Sequence, residues 1–220
     1  MSDRLPLWLA LPCLLVAYSA SAQEPDELHQ IDADLWADNW FALYREDELL
    51  AQDRVAYNTE RSFNSESFSF SATLPAQLSL IIKDFKENDT GLEYIGSPRQ
   101  QMGDGGFIAQ FFDAASGNLL AVSDDSWKCI AIHRAPLNRS CERAADPEQQ
   151  CSAEILPEPE HWKRIEYDDR DWPQAVVHPA SAVRPHGGFS DIEWQSSAKL
   201  IWSDDLEIDN TVLCRFTLGE

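Results

Sequence analysis

The sequence predicts an all-β fold, a single β-sandwich with one long insertion. Many short apolar or aromatic segments are separated by turn-forming residues, which is the pattern of strands in a sandwich. Residues 67–71 read Ser-Phe-Ser-Phe-Ser, with the period of two that indicates a half-buried strand. No stretch of about 12 residues shows the apolar period of an amphipathic helix.

The elements can be followed along the chain. Residues 23–34 are acidic and carry little pattern, so they predict an N-terminal linker before a domain that covers residues 35–220. Residues 45–48 and 116–118 predict turns. The predicted strands are residues 40–44, 49–51, 67–71, 78–82, 107–112, 119–122, 199–202 and 211–216.

Residues 141–159 form the main break in composition. The segment is rich in Pro, Glu, Gln and Ala. It could divide two domains, but the predicted strands after it are too few to close a second core. We therefore interpret it as an insertion loop within one sandwich.

The N-terminus has the pattern of a secretory signal. An apolar run at residues 5–16 is followed by Ala20-Ser21-Ala22, a small-x-small cleavage pattern, which predicts a signal peptide over residues 1–22. A membrane anchor is the alternative, but the run falls short of the about 20 residues that a spanning helix needs. The prediction is a secreted or periplasmic protein with no stable membrane span after cleavage.

Four cysteines remain after the signal, and an oxidising compartment would let Cys129, Cys141, Cys151 and Cys214 form two disulfides. Four cysteines allow three pairings, and the sequence does not choose among them. A local link between Cys141 and Cys151 is one option, which would leave Cys129 to join Cys214. The spacing contains no C-x-x-C, so a zinc site is not predicted.

The formal net charge of −21 limits the possible partners. Such a charge opposes binding to nucleic acid or to an anionic membrane. It favours solubility, cation binding or a saline habitat, and a solvated acidic surface is the simplest interpretation.

Four segments in this order resemble the galactose-binding-like domain superfamily, a jelly-roll β-sandwich. They are residues 38–44, 105–109 with 123–128, 167–175 and 198–202. The first segment departs from the family pattern, because residues 45–48 replace its Asn-Gly turn. The resemblance implies a non-catalytic module, and relatives often bind carbohydrate or carry a structural calcium ion. It also places Trp127, Trp172 and Trp202 within family-like motifs, where we expect core positions.

The polar segment 83–106 is the predicted ligand-binding surface, because a long loop between two buried strands is often functional. Aromatic rings stack on sugar faces, and planar polar groups bond to hydroxyls. The alternative is a surface loop whose polar residues cap turns. The candidate ligand-binding residues are Asp84, Tyr94, Arg99, Gln100, Gln101, Asp104 and, from a later loop, Trp194.

Two acidic stretches could hold Ca²⁺, which takes about six to eight oxygen ligands. Neither has the spacing of an EF-hand, and the carboxylates could equally be turn residues. The candidate metal ligands are Asp84, Asp89 and Asp104 in the first stretch and Asp204, Asp205 and Asp209 in the second.

No motif indicates an enzyme, since G-x-S-x-G, H-E-x-x-H and P-loop patterns are all missing from the sequence. The predicted function is a non-catalytic module that recognises carbohydrate, with calcium as a possible aid. An envelope protein-interaction or structural module is the alternative, and a hydrolase is the least favoured class.

Overall fold

The structure is a computed structural model that describes residues 27–57 and 62–219. The predicted signal peptide lies outside the described residues. The strands of the described part are β1 (Leu28–Asp38), β2 (Trp40–Arg45), β3 (Glu48–Gln52), β4 (Ser65–Thr73), β5 (Ala76–Lys83), β6 (Leu92–Glu93), β7 (Gln101–Met102), β8 (Gly106–Asp113), β9 (Leu119–Val122), β10 (Lys128–Arg134), β11 (Glu154–Ile155), β12 (Val176–Val177), β13 (Ile201–Trp202) and β14 (Asp209–Leu218).

These strands confirm the all-β sandwich. The first sheet runs β12-β13-β8-β1-β4, with β9 also paired to β8, and the second runs β11-β10-β14-β5-β2-β3. Every pairing is antiparallel, and β6 with β7 forms a separate hairpin. Helical structure within residues 27–57 and 62–219 is short: α1 (Pro147–Gln150), α2 (Ala180–Val183) and two 3₁₀ turns, Arg139–Arg143 and Gly187–Asp191. None of it is long and apolar enough to cross a membrane.

The predicted linker is wrong from Leu28 onward, because this segment is the first half of β1 at the centre of a sheet. Its buried residues alternate with polar residues that face outward, as Ile31 and Ala33 do with Asp32. The outward residues bond to serines of β4, for example Ser69 Oγ to Asp32 Oδ1 at 2.6 Å. The acidic residues concealed a normal strand alternation.

The core lies between the two sheets and combines residues from both, such as Phe41 of β2 and Phe107 of β8. Trp127 stacks on Phe216 with ring centroids 3.8 Å apart. Trp127, Trp172 and Trp202 are all buried, as expected. Later segments cover the outer faces: Trp162 and Trp172 pack on the second sheet, and Val183 and Leu200 pack on the first.

Two disulfides are present, and both involve the predicted cysteines. Cys129–Cys214 joins facing positions of β10 and β14. Cys141–Cys151 closes a local loop. We call residues 141–151 the staple loop.

One buried cation lies on the outer face of the second sheet. Arg215 is only 2% exposed. Its Nε donates to Asp169 Oδ2 at 2.7 Å, and its Nη1 donates to the carbonyl oxygens of Trp162 and Arg164. Its guanidinium also faces the Tyr167 ring. The surrounding residues therefore compensate the buried charge of Arg215.

Candidate functional site

Three carboxylates meet where strands of both sheets end. Asp38 ends β1, Asp84 follows β5, and Asp104 precedes β8. The strand register brings them together, because Asp38 faces Gly106 at the start of β8, and Lys83 faces Trp40 just beyond Asp38. One ligand oxygen from each carboxylate lies within 4.8 Å of the other two. We call Asp38, Asp84 and Asp104 the acidic cluster.

The acidic cluster is shielded from water. Asp38 and Asp84 are 0% and 1% exposed. Among the described residues, Asp84 Oδ1 and Asp104 Oδ1 are buried without a hydrogen-bond donor. Buried carboxylate oxygens are normally hydrogen-bonded, paired with a cation or bound to a metal. Within the described part of the chain, one oxygen of Asp84 and one of Asp104 therefore lack the partner that burial normally requires.

The electrostatics of Asp84 agree with this geometry. Burial raises the pKa of Asp84 well above its usual range, and the negative charges of Asp38, Glu93 and Asp104 raise it further. Arg184 contacts Asp104 Oδ2 at 3.2 Å from the outer side, but the Arg184 side chain is largely exposed, so its effect is screened by water. A proton or a cation inside the cluster would relieve the repulsion.

A loop closes over the cluster. This roof loop, residues 84–105, contains the β6–β7 hairpin and carries the buried Glu93. Gln101 Nε2 donates to Glu93 Oε2 at 3.0 Å. A Cβ atom on Gly103 would lie 1.6 Å from Asp84 Oδ2, so only glycine allows the roof loop to approach this carboxylate.

The predicted ligand-binding residues do not form a single surface. Asp84 and Gln100 are buried, so neither side chain forms part of an exposed carbohydrate-binding surface, contrary to the prediction. The side chain of Gln101 is directed to Glu93. Burial was not predicted because a polar loop is usually exposed.

Tyr94 and Arg99 do lie together at the tip of the roof loop. Tyr94 is half-buried and Arg99 is exposed. The Arg99 guanidinium stacks over the Tyr94 ring at 4.1 Å from its centroid. Trp194 lies elsewhere, half-buried against Phe189 on the outer face of the first sheet, and its Nε1 donates to the Phe189 carbonyl oxygen.

The predicted metal ligands divide into two groups. Asp84 and Asp104 belong to the acidic cluster. Asp89 does not, because its exposed side chain contacts Lys86 at 2.8 Å and His133 at 3.3 Å.

The second predicted calcium stretch forms no acidic group of this kind within the described residues. Arg134 Nε contacts Asp209 Oδ1 at 2.8 Å, and Arg139 contacts Asp205. Asp205 Oδ1 also accepts from the backbone N–H groups of residues 207 and 208, and Asp204 is exposed. Asp204 and Asp205 lie in the turn segment before β14, as in the alternative interpretation, whereas Asp209 is buried as the first residue of β14.

Asp38 was not among the predicted site residues. Asp38 directly follows three buried residues of β1 and precedes Asn39, which is also buried. Asn39 Oδ1 accepts from the Phe85 N–H at 2.7 Å, which links the end of β1 to the start of the roof loop. A polar Asp-Asn pair inside an apolar run was the available signal, since buried polar residues usually have a specific role.

Comparison of the chain with models of protein families, with curated proteins and with solved structures found no match. The resemblance to galactose-binding-like domains therefore stays a prediction, and the site must be argued from its own geometry.

Proposed function

We propose that this chain is a non-catalytic binding module of an oxidising compartment, secreted or periplasmic, that holds a calcium ion in the acidic cluster. The observation that carries the proposal is the convergence of three carboxylates within 4.8 Å, together with one oxygen of the buried Asp84 that accepts no hydrogen bond from the described residues. Oxygen atoms bound to one Ca²⁺ at about 2.3–2.6 Å can be up to about 5 Å apart, so the spacing fits a shared ion.

Calcium fits the cluster better than other common metals. All three side chains offer hard oxygen donors, which suit Ca²⁺ or Mg²⁺ rather than zinc or copper. Mg²⁺ usually keeps several water molecules, whereas Asp38 and Asp84 leave little access to solvent. The flexible coordination of Ca²⁺ matches ligands that come from three separate strand ends.

The ion would have a structural task in this site. Asp38 ends β1 of the first sheet, whereas Asp84 and Asp104 lie at the two ends of the roof loop, Asp84 directly after β5 of the second sheet. A shared ion would therefore fix the roof loop against the end of the sandwich. Carbohydrate is the ligand class we propose for the exposed side of that loop, where Arg99 and Tyr94 offer a planar cation and a ring.

The cation is tested by titrating chelator-treated protein with Ca²⁺ in a calorimeter and in urea unfolding. We expect one site, and a stabilisation of about 2.7 kcal/mol when free Ca²⁺ is 100 times its Kd. Asp84→Asn should abolish this gain, and in chelator it should be more stable than the wild type, because the folded site disfavours the charged form of Asp84 and asparagine carries no charge. Asp204→Asn, an exposed acid outside the cluster, is the matched control. Folded wild-type protein that binds no Ca²⁺ would refute the proposal.

The ligand is tested with a glycan panel in the presence of Ca²⁺ and again with chelator. A specific glycan that is lost on Arg99→Ala would support carbohydrate recognition by the roof loop. No glycan binding by folded, calcium-loaded protein would remove carbohydrate from the proposal and leave the calcium site standing.

An envelope protein partner is the second candidate, and a separate surface favours it. The edge strands β11 and β12 expose Ile155 and Val177, which are 54% and 43% accessible. Leu156 and Val176 line a groove of about 430 Å³ between them. Exposed apolar edges of this kind are typical of protein contacts. Binding that survives Arg99→Ala but fails on Leu156→Asp would favour this class.

A further inference from the structure

We infer that Gln100 is a positioning residue that lets the Cys141–Cys151 disulfide loop preorganise the calcium site. This inference rests on the proposed function. It goes beyond that proposal by assigning a role to a residue that does not itself reach the acidic cluster.

The roof loop depends on contacts outside the cluster for its shape. Gln100 is 7% exposed and is the last residue of the loop that connects β6 to β7. Its Oε1 accepts from the Gly96 N–H at 2.8 Å, which closes the hairpin tip. Its Nε2 donates to the carbonyl oxygens of Glu142 and Ala144, at 2.7 and 3.0 Å. One amide therefore ties the hairpin to itself and to the staple loop.

A second contact ties the staple loop to the other end of the hairpin region. Asn88 Nδ2 donates to Glu148 Oε1 at 2.9 Å, and Asn88 Oδ1 accepts from the N–H and hydroxyl of Thr90. This pair is exposed, so it contributes less than the buried Gln100 contacts. Asn88 precedes β6 in the chain and Gln100 follows it, so the staple loop is bonded to the segments on both sides of the strand that carries Glu93.

The staple loop can act as a rigid support because it is closed at its base. The Cys141–Cys151 bond spans a sequence separation of only 10 residues. Beside it, Asn138 Nδ2 donates to the Gln150 carbonyl, and Asn138 Oδ1 accepts from the Ser152 N–H at 2.8 Å. The two carbonyls that receive Gln100 therefore lie on a segment with few conformations.

The link to the ion follows from chain connectivity. Gln100 is followed by Gln101, which bonds to Glu93, then by Gly103, which packs on Asp84, and by Asp104 of the cluster. If Gln100 loses its bonds to the staple loop, this short segment becomes less ordered, and part of the free energy of Ca²⁺ binding must then be used to order it. A site that is ordered in advance binds more tightly because that entropy is already lost.

The test compares two glutamines that have the same chemistry. Gln100→Met removes both the amide N–H donor and the amide oxygen acceptor of the side chain while keeping a similar volume. Gln77→Met is the matched control, because Gln77 Nε2 also donates to two carbonyl oxygens, those of Leu78 and Phe216, but near the start of β5 rather than beyond its end. The Ca²⁺ Kd of both folded variants is measured by calorimetry, and their unfolding is measured in chelator.

We expect Gln100→Met to weaken Ca²⁺ binding about tenfold, which is the loss of one to two net hydrogen bonds. Gln77→Met should leave the Kd unchanged, whatever it does to stability in chelator. The double variant Cys141→Ser/Cys151→Ser should also weaken binding. Combining it with Gln100→Met should add little, because both changes release the same support.

Three results would overturn the inference. An unchanged Ca²⁺ Kd for folded Gln100→Met would refute the positioning role of Gln100. The proposed calcium site would still stand in that case if the wild type binds Ca²⁺. Equal weakening by Gln77→Met would show a general effect of instability. Absence of Ca²⁺ binding by the wild type would refute both proposals.

Discussion

Two of the sites that bury charge in the described part of the molecule treat it in opposite ways. Arg215 on the second sheet is matched by a carboxylate and two carbonyl oxygens. The acidic cluster, at the end of the sandwich, brings like charges together and leaves oxygens of Asp84 and Asp104 without donors among the described residues. Both sites are built from residues distant in sequence.

The difference separates a site that the chain completes by itself from a site that we propose is completed by an ion. A buried charge is tolerated when its partners are complete. The Arg215 site is complete within the chain, so it needs nothing from solution. The calcium site that we propose for the acidic cluster would instead be completed and stabilised by a cation from solution.

The largest loss of stability should come from removing the buried cation of the Arg215 site. Arg215→Met leaves Asp169 without its partner and two carbonyl oxygens without a donor, and we expect a loss of about 3 kcal/mol in the free energy of unfolding. Urea unfolding should show the same loss in Ca²⁺ and in chelator. A loss that depended on Ca²⁺ would mean that the two sites are coupled and would break the comparison.

An intermediate effect should come from crowding the incomplete site. Gly103→Ala places a Cβ atom against Asp84 Oδ2, and overpacking of this kind costs about 1–3 kcal/mol. Because the carboxylate must move, we expect weaker Ca²⁺ binding as well as lower stability.

Gly188→Ala is the control for this substitution. Its Cβ would lie 2.3 Å from the Ser65 backbone nitrogen, a clash of similar severity on the first sheet. It should lower stability without changing the Ca²⁺ Kd. Equal changes in Kd for both variants would contradict a specific contact between Gly103 and Asp84.

The smallest effect should be a dependence of stability on pH. The pKa of Asp84 is raised in the folded chain, so above the usual aspartate value of about 3.9 the folded state holds a proton that the unfolded state has lost. The free energy of unfolding in chelator should therefore fall as pH rises through this window, by at most about 1.4 kcal/mol per pH unit for one proton.

Calcium should reverse the advantage of low pH, since Ca²⁺ and the proton compete for the same carboxylates. Unfolding measured at several pH values, with Ca²⁺ and with chelator, checks both statements. Asp84→Asn should flatten the slope in chelator. A wild-type slope of the opposite sign would mean that the cluster is ionised and compensated without calcium.

The sequence predicted several strands well where apolar residues alternated with neutral polar ones or formed short runs. β2, β4, β5, β8 and β14 were all predicted near their true positions. The first half of β1 was not, because Asp32 and Asp34 occupy its outward positions and gave the segment the composition of a linker.

The candidate site could be predicted only in part. Asp84 and Asp104 stood out as acids in one polar segment, but Asp38 lies 46 positions before Asp84 and reaches it only through the register of β1, β2 and β5. The sequence also could not show that Asp205 and Asp209 are neutralised by Arg139 and Arg134, since ion pairs between distant segments leave no local pattern.

The position of the last strand has a consequence for the order in which this chain can mature. β14 lies between β5 and β10, so the second sheet stays in two separate parts until Asp209–Leu218 is available. Cys129 likewise waits for Cys214, 85 positions later. The second sheet and the Cys129–Cys214 bond can therefore form only after the last strand has been synthesised, whereas Cys141 and Cys151 can pair earlier.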